Sequence, residues 1–414
     1  MKFTQNKQIN EKIGSQLNLI CKEILNNVNA KSIILTGSFG YGEGPVKIKK
    51  EKIYPFNDYD IHIITEKPIS SEKIDEIASK AANKIGYKGI NYFYNFKKEE
   101  QTLEKNFYID LKCITLKQLR NLPPRLKYYN LKESTQTLYG EDLTYLAPKF
   151  KLDEIPLSES AKLLLDRMSQ LVEYYSLEKK YDKEFLTYII QQAYAACLTS
   201  LLILSKKYKP KYSENSKIFL ETYKKDFPEL YKKLPDLHLK INKYVKWKLN
   251  PQKLPYNSVE EEFRTCTKSI YEVSKYFFSK FLNKKIETLN DLSNAILKMS
   301  YTFYSPYLKY KFKIKPNLTY PTLNLFLKHK YLQRIKIWNK KHRIVYLNKY
   351  PPDSYILASV PYFLLAVSEK EVNEILLNKG TSILKRVYPV KSKNWEQISL
   401  DYANAYIGFF LMKL

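Results

Sequence analysis

Three aspartates on two predicted strands are the residues of this sequence best suited to chemistry. Asp58 and Asp60 open the run DYDIHIIT, and Asp110 lies inside the apolar run FYIDLKCIT, so strands are predicted over 58–65 and 107–115. Because side chains two apart on a strand share a face, Asp58 and Asp60 lie side by side. Carboxylates placed together repel one another unless a cation lies between them, and Mg²⁺ prefers such oxygen ligands. The structural alternative is that Asp58 begins a turn after Asn57 and that Asp110 pairs with a lysine.

A glycine cluster follows the predicted strand SIILT at 32–36. The chain has only ten glycines in 414 residues, and Gly37, Gly40, Gly42 and Gly44 fall within one short segment. Glycine allows tight turns and close approach of the backbone to a ligand. With the hydroxyl of Ser38, this turn is expected to offer backbone N–H groups to phosphate oxygens. A phosphate-binding turn beside a carboxylate cluster predicts metal-assisted phosphoryl or nucleotidyl transfer.

The order of these motifs resembles the DNA polymerase β-type nucleotidyltransferase superfamily. That family carries an apolar residue followed by Gly-Ser, then Asp-x-Asp or Asp-x-Glu, then a third acid, and here LTGSFGYGEG, NDYDIHI and Asp110 occur in that order. More narrowly, the chain is similar to nucleotidyltransferase-like proteins with GS(Y/F)GxGEG and NDYD. GSFGYGEG matches neither a P-loop nor a dinucleotide-binding fingerprint, because no Gly-Lys-Ser/Thr follows and the glycine spacing differs.

The resemblance implies a role for each motif residue. Gly37 and Ser38 would hold the β- and γ-phosphates of an NTP, within a nucleotide-binding turn that also includes Gly40 and Gly42. Two Mg²⁺ ions, which Mn²⁺ could replace, would be ligated by Asp58 and Asp60. Asp110 would bind the metal next to the acceptor hydroxyl and help remove its proton. The implied reaction moves an NMP from the NTP to an acceptor and releases pyrophosphate.

Four features of this region leave alternatives open. The spacer between Ser38 and Asp58 is long for the superfamily, and its lysines (Lys47, Lys49, Lys50 and Lys52) belong either to a lid over a triphosphate or, the interpretation we favour, to a solvated hairpin. Tyr41 stands where many relatives have a basic residue. Glu43 is an acidic neighbour for phosphate and is expected to bind a lysine or, indirectly, the metal. His62 shares the face of the aspartates, but a hydrogen-bonded structural histidine is the favoured interpretation.

The elements around these motifs predict an α+β fold, with a small mixed sheet followed by mainly helical domains. Apolar periodicity predicts helices over 8–29 and over 70–85, the second with a serine N-cap, and a further strand over 90–96. After Pro123-Pro124 the pattern over 155–300 is helical and free of glycine, clearest at 160–175 and 185–204. We expect a nucleotidyltransferase domain over 1–150, a helical bundle over 151–290 and a basic, aromatic-rich, mainly helical domain over 291–414.

The chain is strongly basic. Its 70 Lys and Arg residues against 42 Asp and Glu give a formal charge of +28, which attracts polyanions. Residues 308–352 contain no acid, and Lys309, Lys311, Lys313 and Lys315 alternate with Tyr310, Phe312 and Ile314. Such a cationic face with aromatic neighbours suits RNA or another polyanion. The other interpretation is a solvated basic surface over an aromatic core.

Other classes of protein fit poorly. Four cysteines without close spacing exclude a disulfide scaffold and a Cys-x-x-Cys metal site. The apolar stretches 193–204 and 355–367 are shorter than the roughly 18 residues that span a bilayer, and no signal peptide is apparent, so a cytoplasmic protein without a membrane span is expected.

Three functions follow from these observations. The first is a Mg²⁺-dependent nucleotidyltransferase acting on RNA, a saccharide or a small molecule. The second is a nucleic-acid-binding protein whose nucleotidyltransferase domain is a non-catalytic scaffold. The third is a toxin-type nucleotidyltransferase that modifies tRNA or protein. The acceptor, the base preference and the oligomeric state are not encoded in any motif of the sequence.

Overall fold

The computed structural model describes residues 1–4, 7–49, 52–87, 109–178, 181–299, 303, 316–334 and 344–410. The strand predicted over 90–96 and the cationic residues Lys309, Lys311, Lys313 and Lys315 lie outside the described residues. Contacts divide the chain into two compact units, of which one comprises Met1–Ile155, Lys206–Glu221 and Leu239–Pro255, and the other comprises Pro156–Ser205, Thr222–His238 and Tyr256–Leu414. The fold is α+β, with strands near the N-terminus and helices after them. The domain boundaries near 150 and 290 stay predictions.

The first unit is built around a mixed four-stranded sheet. Its elements are α1 (Lys7–Asn27), β1 (Ser32–Thr36), α2 (Gly37–Gly40), β2 (Val46–Lys49), β3 (Lys52–Pro55), β4 (Tyr59–Thr65), α3 (Ser71–Lys84), β5 (Ile109–Thr115), α4 (Leu116–Arg120), α5 (Leu126–Glu133), β6 (Gln136–Gly140), short 3₁₀ turns at Leu143–Leu146 and Leu152–Glu154, and most of α8 (Tyr212–Asp226) and α10 (Leu237–Leu249). The strand order is β5-β4-β1-β6, in which only β4 and β5 run parallel.

The local sequence patterns predict α1, α3, β1, β4 and β5, whereas the short helices α2, α4 and α5 were not predicted. Strand β1 has the predicted bounds, β4 begins one residue later than predicted, and the described part of β5 ends where predicted. The hydroxyl of Ser70 caps α3 by accepting a hydrogen bond from the N–H of Lys73 at 3.3 Å. Strand β6 was not predicted, because it is short and half-exposed and is defined by its pairing with β1.

The two faces of the sheet differ in chemistry. One face is apolar along its length, since Ile33, Leu35 and Ile61 pack with buried residues of α1 and α3. The other face is apolar only at one end, where Ile34 and Ile64 pack with residues of α4 and α5. Side chains alternate between faces along a strand, so the opposite end of this second face receives the acidic residues of β4 and β5. The acidic end of the sheet is therefore left for polar chemistry.

The spacer between Ser38 and Asp58 folds as the predicted hairpin, in which β2 pairs antiparallel with β3. Gln252, in the segment after α10, donates a hydrogen bond to the carbonyl of Val46 at 2.9 Å. The rings of Phe56 and Trp247 meet edge to face with centroids 5.2 Å apart. These contacts join the base of the hairpin to the α10 region within the first unit.

The second unit is helical throughout its described part. Its helices are α6 (Leu157–Tyr174), α7 (Lys183–Leu204), α9 (Pro228–Lys233), α11 (Val259–Leu282), α12 (Leu289–Lys298), α13 (Pro316–Arg334), α14 (Ile344–Leu347), α15 (Pro352–Ala366), α16 (Glu374–Leu384) and α17 (Trp395–Phe410). The helices predicted over 160–175 and 185–204 are confirmed as α6 and α7.

One described helix, α7, is long and apolar enough to cross a membrane. It has 22 residues, which is longer than the predicted apolar stretch 193–204, and 89% of its most apolar window is buried inside the protein. It packs against α6 and α11, as a central helix of a helical core does.

Candidate active site

The first helical turn after β1 lies directly against Asp60. A Cβ placed on Gly37 would overlap the Oδ2 atom of Asp60, and Gly37 has a φ of +63°. Both observations require glycine at this position, because a side chain would clash with the carboxylate and L residues rarely adopt a positive φ. The structure therefore explains the Gly-Ser motif as a close approach between α2 and the carboxylate on β4.

Asp110 lies beside Asp60 on the neighbouring strand. The parallel register of β4 and β5 pairs Asp60 with Asp110, and paired residues on adjacent strands point to the same face. Burial raises the pKa of Asp60 well above its ordinary value, and the charges of Asp58 and Asp110 raise it further. The three predicted aspartates thus lie within electrostatic reach of one another, although their roles as catalytic and metal-binding residues stay a prediction.

A lysine on the same strand pairs with Asp110. The ammonium of Lys112 donates a hydrogen bond to Oδ2 of Asp110 and forms an ion pair with it. Burial alone would lower the pKa of Lys112, but the charges of Asp110, Asp60 and Asp58 raise it. The alternative that Asp110 pairs with a lysine is therefore correct, and it holds together with the convergence of the acids.

The donor set suits a hard divalent cation. Burial and the charges of Asp58 and Asp110 raise the pKa of Asp60, and a cation bound there would offset both effects. Within the described ranges, no three Asp, Glu, His or Cys side chains already stand in metal-ligand geometry. The carboxylate oxygens of Asp58 and Asp60 are of the type that a hard cation prefers, and Asp110 forms an ion pair with Lys112.

The glycine-rich turn uses much of its own backbone internally. The N–H groups of residues 41–44 all donate to backbone carbonyls, at 2.9–3.2 Å. These four groups are not available to phosphate oxygens, contrary to the expectation of many free N–H groups. The N–H groups of α2 itself have no intrahelical acceptors, because a helix leaves its first four donors unpaired. Within this turn, the N–H groups left for a phosphate contact are therefore those of residues 37–40.

The remaining motif residues of this turn support its shape. Ser38 is buried, and its hydroxyl accepts a hydrogen bond from the amide of Asn57 at 3.4 Å. Gly40 lies tightly over the carbonyl of Leu35, and a Cβ on Gly42 would lie 2.9 Å from the carbonyl oxygen of Lys2. Gly40 and Gly42 are thus explained by packing, and their predicted role in nucleotide binding is not tested by these contacts.

Among the described residues, the partners of Glu43 are at the start of a helix, and no lysine is paired with it there. Its carboxylate accepts hydrogen bonds from the N–H of Tyr212 at 2.7 Å and the N–H of Ser213 at 3.2 Å, as well as from the Ser213 hydroxyl. These are the first residues of α8, whose N-terminal N–H groups favour a negative charge. The acid beside the phosphate turn is therefore explained as the cap of a helix that lies 169 residues further along the chain.

Tyr41 lies close enough to Asp60 for the two groups to interact electrostatically. Burial raises the pKa of its phenol well above the ordinary value, and the charges of Tyr208, Tyr212 and Asp60 act in the same direction, while a hydrogen bond with Asn130 opposes them. Tyr41 therefore remains a neutral hydroxyl at physiological pH. It supplies a polar group without a positive charge.

Lys248 is a site residue that the sequence motifs do not reveal. It lies in the last turn of α10, is 2% exposed, and its Nζ atom is 4.2 Å from the centroid of the Tyr212 ring. Its charge favours the ionised form of Asp60. The local sequence does not distinguish Lys248 from other lysines, because a Lys-Trp-Lys sequence at a helix end is also common on solvent-exposed helix surfaces. Lys248 comes near β4 because α10 packs there.

His62 lies next along β4 on the same face. It pairs across the sheet with Ile34 on one side and Lys112 on the other. Burial lowers its pKa to about 3, with Lys112 lowering it further and Asp110 opposing this, so the imidazole is neutral at physiological pH. Its buried Nδ1 has no hydrogen-bond partner within the described part of the chain, unlike the hydrogen-bonded histidine favoured by the sequence.

Comparisons with known proteins add little to this picture. No protein-family model and no curated protein matches the chain. Among solved structures, the chain is similar to a spectinomycin adenyltransferase from Enterococcus faecialis, crystallised with ATP and spectinomycin. The identity is 17%, the match covers 63% of this chain and 99% of that one, and the TM-score is 0.36. A TM-score this low does not establish a common fold.

Proposed function

We propose that this protein is a metal-dependent nucleotidyltransferase that moves an NMP from an NTP to an acceptor and releases pyrophosphate. One observation carries the proposal, which is the position of Asp60. Its carboxylate lies against the backbone of Gly37, and its strand pairs it with Asp110. The charge of Asp58 also raises the pKa of this carboxyl group. This arrangement supports a site in which Asp60 would bind a cation and that cation would attract an anionic ligand toward α2.

Each residue of the site has a separate role in this proposal. Gly37 lets the backbone of α2 lie directly against the Asp60 carboxylate, and the ammonium of Lys248 would supply positive charge near Asp60. Asp58 and Asp60 would hold Mg²⁺ or Mn²⁺, which when bound supplies positive charge to the phosphoryl oxygens. Asp110, at the outer strand, would accept the proton of the attacking hydroxyl.

The chemistry of the acceptor is suggested by charge. A formal charge of +28 concentrates anions around the protein, which favours RNA or another anionic acceptor over a neutral saccharide or small molecule. The cationic series Lys309, Lys311, Lys313 and Lys315 remains a proposed contact for such an acceptor. We place the protein in the cytoplasm as part of the same proposal.

The test is NTP consumption with pyrophosphate release, using each labelled NTP with total RNA and a metabolite pool as acceptors. We expect activity in the wild type and its loss in Asp58→Asn and Asp60→Asn. Asp75→Asn is the matched control, since it makes the same chemical change on α3, which packs on the opposite face of the sheet. If wild type and Asp60→Asn were equally inert with every NTP and acceptor, the proposal would be wrong.

A second candidate is a nucleic-acid-binding protein with a non-catalytic nucleotidyltransferase scaffold. The ion pair between Lys112 and Asp110 favours it, because a lysine then neutralises the acid that the reaction needs. This candidate predicts RNA binding that weakens steeply with salt, is unchanged in Asp60→Asn, and falls when Lys309, Lys311 and Lys313 are neutralised. Salt-insensitive binding, or none, would exclude it.

A further inference from the structure

We infer that Gln136 is a positioning residue that holds the glycine-rich turn against Asp60. This role rests on the proposed function, since it concerns the turn that would receive the NTP. Gln136 is the first residue of β6 and pairs with Leu35 of β1, which stands two residues before Gly37. Strand pairing therefore brings Gln136 to the end of β1 at which the turn begins.

One side-chain amide reaches three backbone carbonyls. The Nε2 atom of Gln136 donates a hydrogen bond to the carbonyl of Lys2 at 2.8 Å. It also donates to the carbonyls of Phe39 at 3.2 Å and Gly40 at 3.0 Å, which end α2. An amide nitrogen carries two protons, so at least one of them is shared between two acceptors. Gln136 therefore joins three parts of the first unit, which are β6, α2 and the described residues 1–4.

The carbonyls at the end of α2 depend on this amide. A helix leaves its last four carbonyls without intrahelical donors, and α2 has only four residues. The carbonyls of Gly37, Ser38 and Phe39 accept hydrogen bonds from N–H groups of the residues that follow α2. Among the described residues, the donor to the carbonyl of Gly40 is the amide of Gln136. Nucleation of so short a helix costs more than its few hydrogen bonds return, and outside contacts must therefore fix its position.

The N-terminal segment, residues 1–4, is fastened beside the same turn. The carbonyl of Phe3 accepts a hydrogen bond from the N–H of Gly44 at 2.9 Å. The side-chain oxygen of Asn10, on α1, accepts from the N–H groups of Phe3 at 2.9 Å and Thr4 at 2.7 Å. Because Gln136 bonds both to this segment and to α2, its removal loosens α2 from two neighbours together.

The opposite end of α2 carries the contact with Asp60. Gly37 lies directly against that carboxylate, and a Cβ on Gly40 would lie 2.5 Å from the carbonyl oxygen of Leu35. A displacement at Gly40 reaches Gly37 because the two residues lie within about one helical turn. Gln136 therefore acts on the carboxylate site through α2, without itself contacting the reacting groups.

The first measurement is hydrogen–deuterium exchange of the full chain, followed in peptides that cover residues 37–44. Gln136→Met keeps the side-chain length but removes the donor, so we expect the amides of the turn to exchange roughly tenfold faster. Gln136→Asn keeps the amide on a shorter side chain and should fall between Gln136→Met and the wild type. Lys132→Met is the matched control, since Nζ of Lys132 also donates to two backbone carbonyls of the first unit, those of Thr144 at 2.9 Å and Tyr145 at 3.1 Å. It should leave exchange over 37–44 unchanged.

The second measurement is calorimetric binding of the α,β-methylene analogue of each common ribonucleoside triphosphate in the presence of Mg²⁺. We expect Gln136→Met to weaken binding roughly tenfold, with Gln136→Asn between it and the wild type. Lys132→Met should bind as the wild type does. A purely structural role would lower the urea midpoint of Gln136→Met and Lys132→Met alike, without this difference in affinity.

The outcomes separate this inference from the proposed function. Wild-type protein that binds no analogue overturns the proposed function, and the exchange measurement alone then decides whether Gln136 holds the turn. Unchanged exchange over 37–44 in Gln136→Met, or an equal effect of Lys132→Met, overturns the inference and leaves nucleotidyl transfer standing. Faster exchange with unchanged affinity for an analogue that the wild type binds also overturns it, because the turn would then be held without consequence for the nucleotide.

Discussion

Replacing Gly37 by alanine tests the contact on which the site depends. The new Cβ would overlap the carboxylate of Asp60, and φ at this position is +63°. The left-handed conformation costs an L residue about 1–2 kcal/mol. Forcing extra atoms into a packed position costs about 1–3 kcal/mol more. We therefore expect Gly37→Ala to lower the free energy of unfolding by about 2–5 kcal/mol and to displace Asp60.

Gly86→Ala is the matched control for this change. Gly86 also has a positive φ, of +86°, but a Cβ there would meet nothing within 4 Å. It isolates the cost of the backbone conformation, about 1–2 kcal/mol. The difference between the two variants, measured by urea denaturation, is the cost of the contact with Asp60.

A third variant identifies the partner in that contact. In an Asp60→Ala background the overlapping carboxylate is gone, although the Cβ of residue 60 would remain 3.3 Å away. The cost of Gly37→Ala should then fall to that of Gly86→Ala, which a double-mutant cycle measures. Equal costs for Gly37→Ala and Gly86→Ala in the wild-type background would refute the reasoning, as would an unchanged Gly37→Ala cost in the Asp60→Ala background.

Three other predictions concern single side chains of the first unit. The hydrogen bond from Lys84 lowers the pKa of Glu23, so the native state binds fewer protons than the unfolded state and stability falls as pH drops from about 5 to 3. Glu23→Gln should flatten this slope in urea denaturation at stepped pH, and an unchanged slope would contradict the assignment. Glu43→Ala should cost about 1–2 kcal/mol and Glu43→Gln less, because the N–H groups at the start of α8 lose their acceptor; equal stability of both variants and the wild type would exclude the cap. Lys248→Met should weaken binding of an NTP analogue roughly tenfold or more in calorimetry, with exposed Lys246→Met as control, since a charged hydrogen bond contributes about 1.5–3 kcal/mol.

The elements that carry the site could be read from local patterns. Alternating and continuous apolar runs predict β1 and β4, and periodic apolar residues predict α1 and α3. The concentration of scarce glycine pointed to the turn in which Gly37 approaches Asp60. These features are local: each depends on the residues within one or two turns, which is why one sequence suffices to predict them.

Contacts between segments that are distant in the sequence could not be predicted from local sequence patterns. Strand β6 is defined by its hydrogen-bonded pairing with β1, which lies about 100 residues earlier in the chain. Glu43 likewise has its hydrogen-bond partners at the start of α8. Lys248 approaches Asp60 only because α10 packs in the first unit. No pattern in the sequence selects these partners, since many lysines and acids carry the same local signal.

The sequence by itself determined which residue types stand at the end of each strand, and so the acidic and glycine-rich character of the site. The tertiary structure decided which groups interact with those charges. Lys112 forms an ion pair with Asp110, and the charge of Lys248 acts on Asp60. The carboxylate of Glu43 accepts hydrogen bonds from the start of α8. The physical reason is that a charge interacts with whatever lies within a few ångströms in space. Those neighbours are chosen by strand register and by the burial of apolar faces over the whole unit.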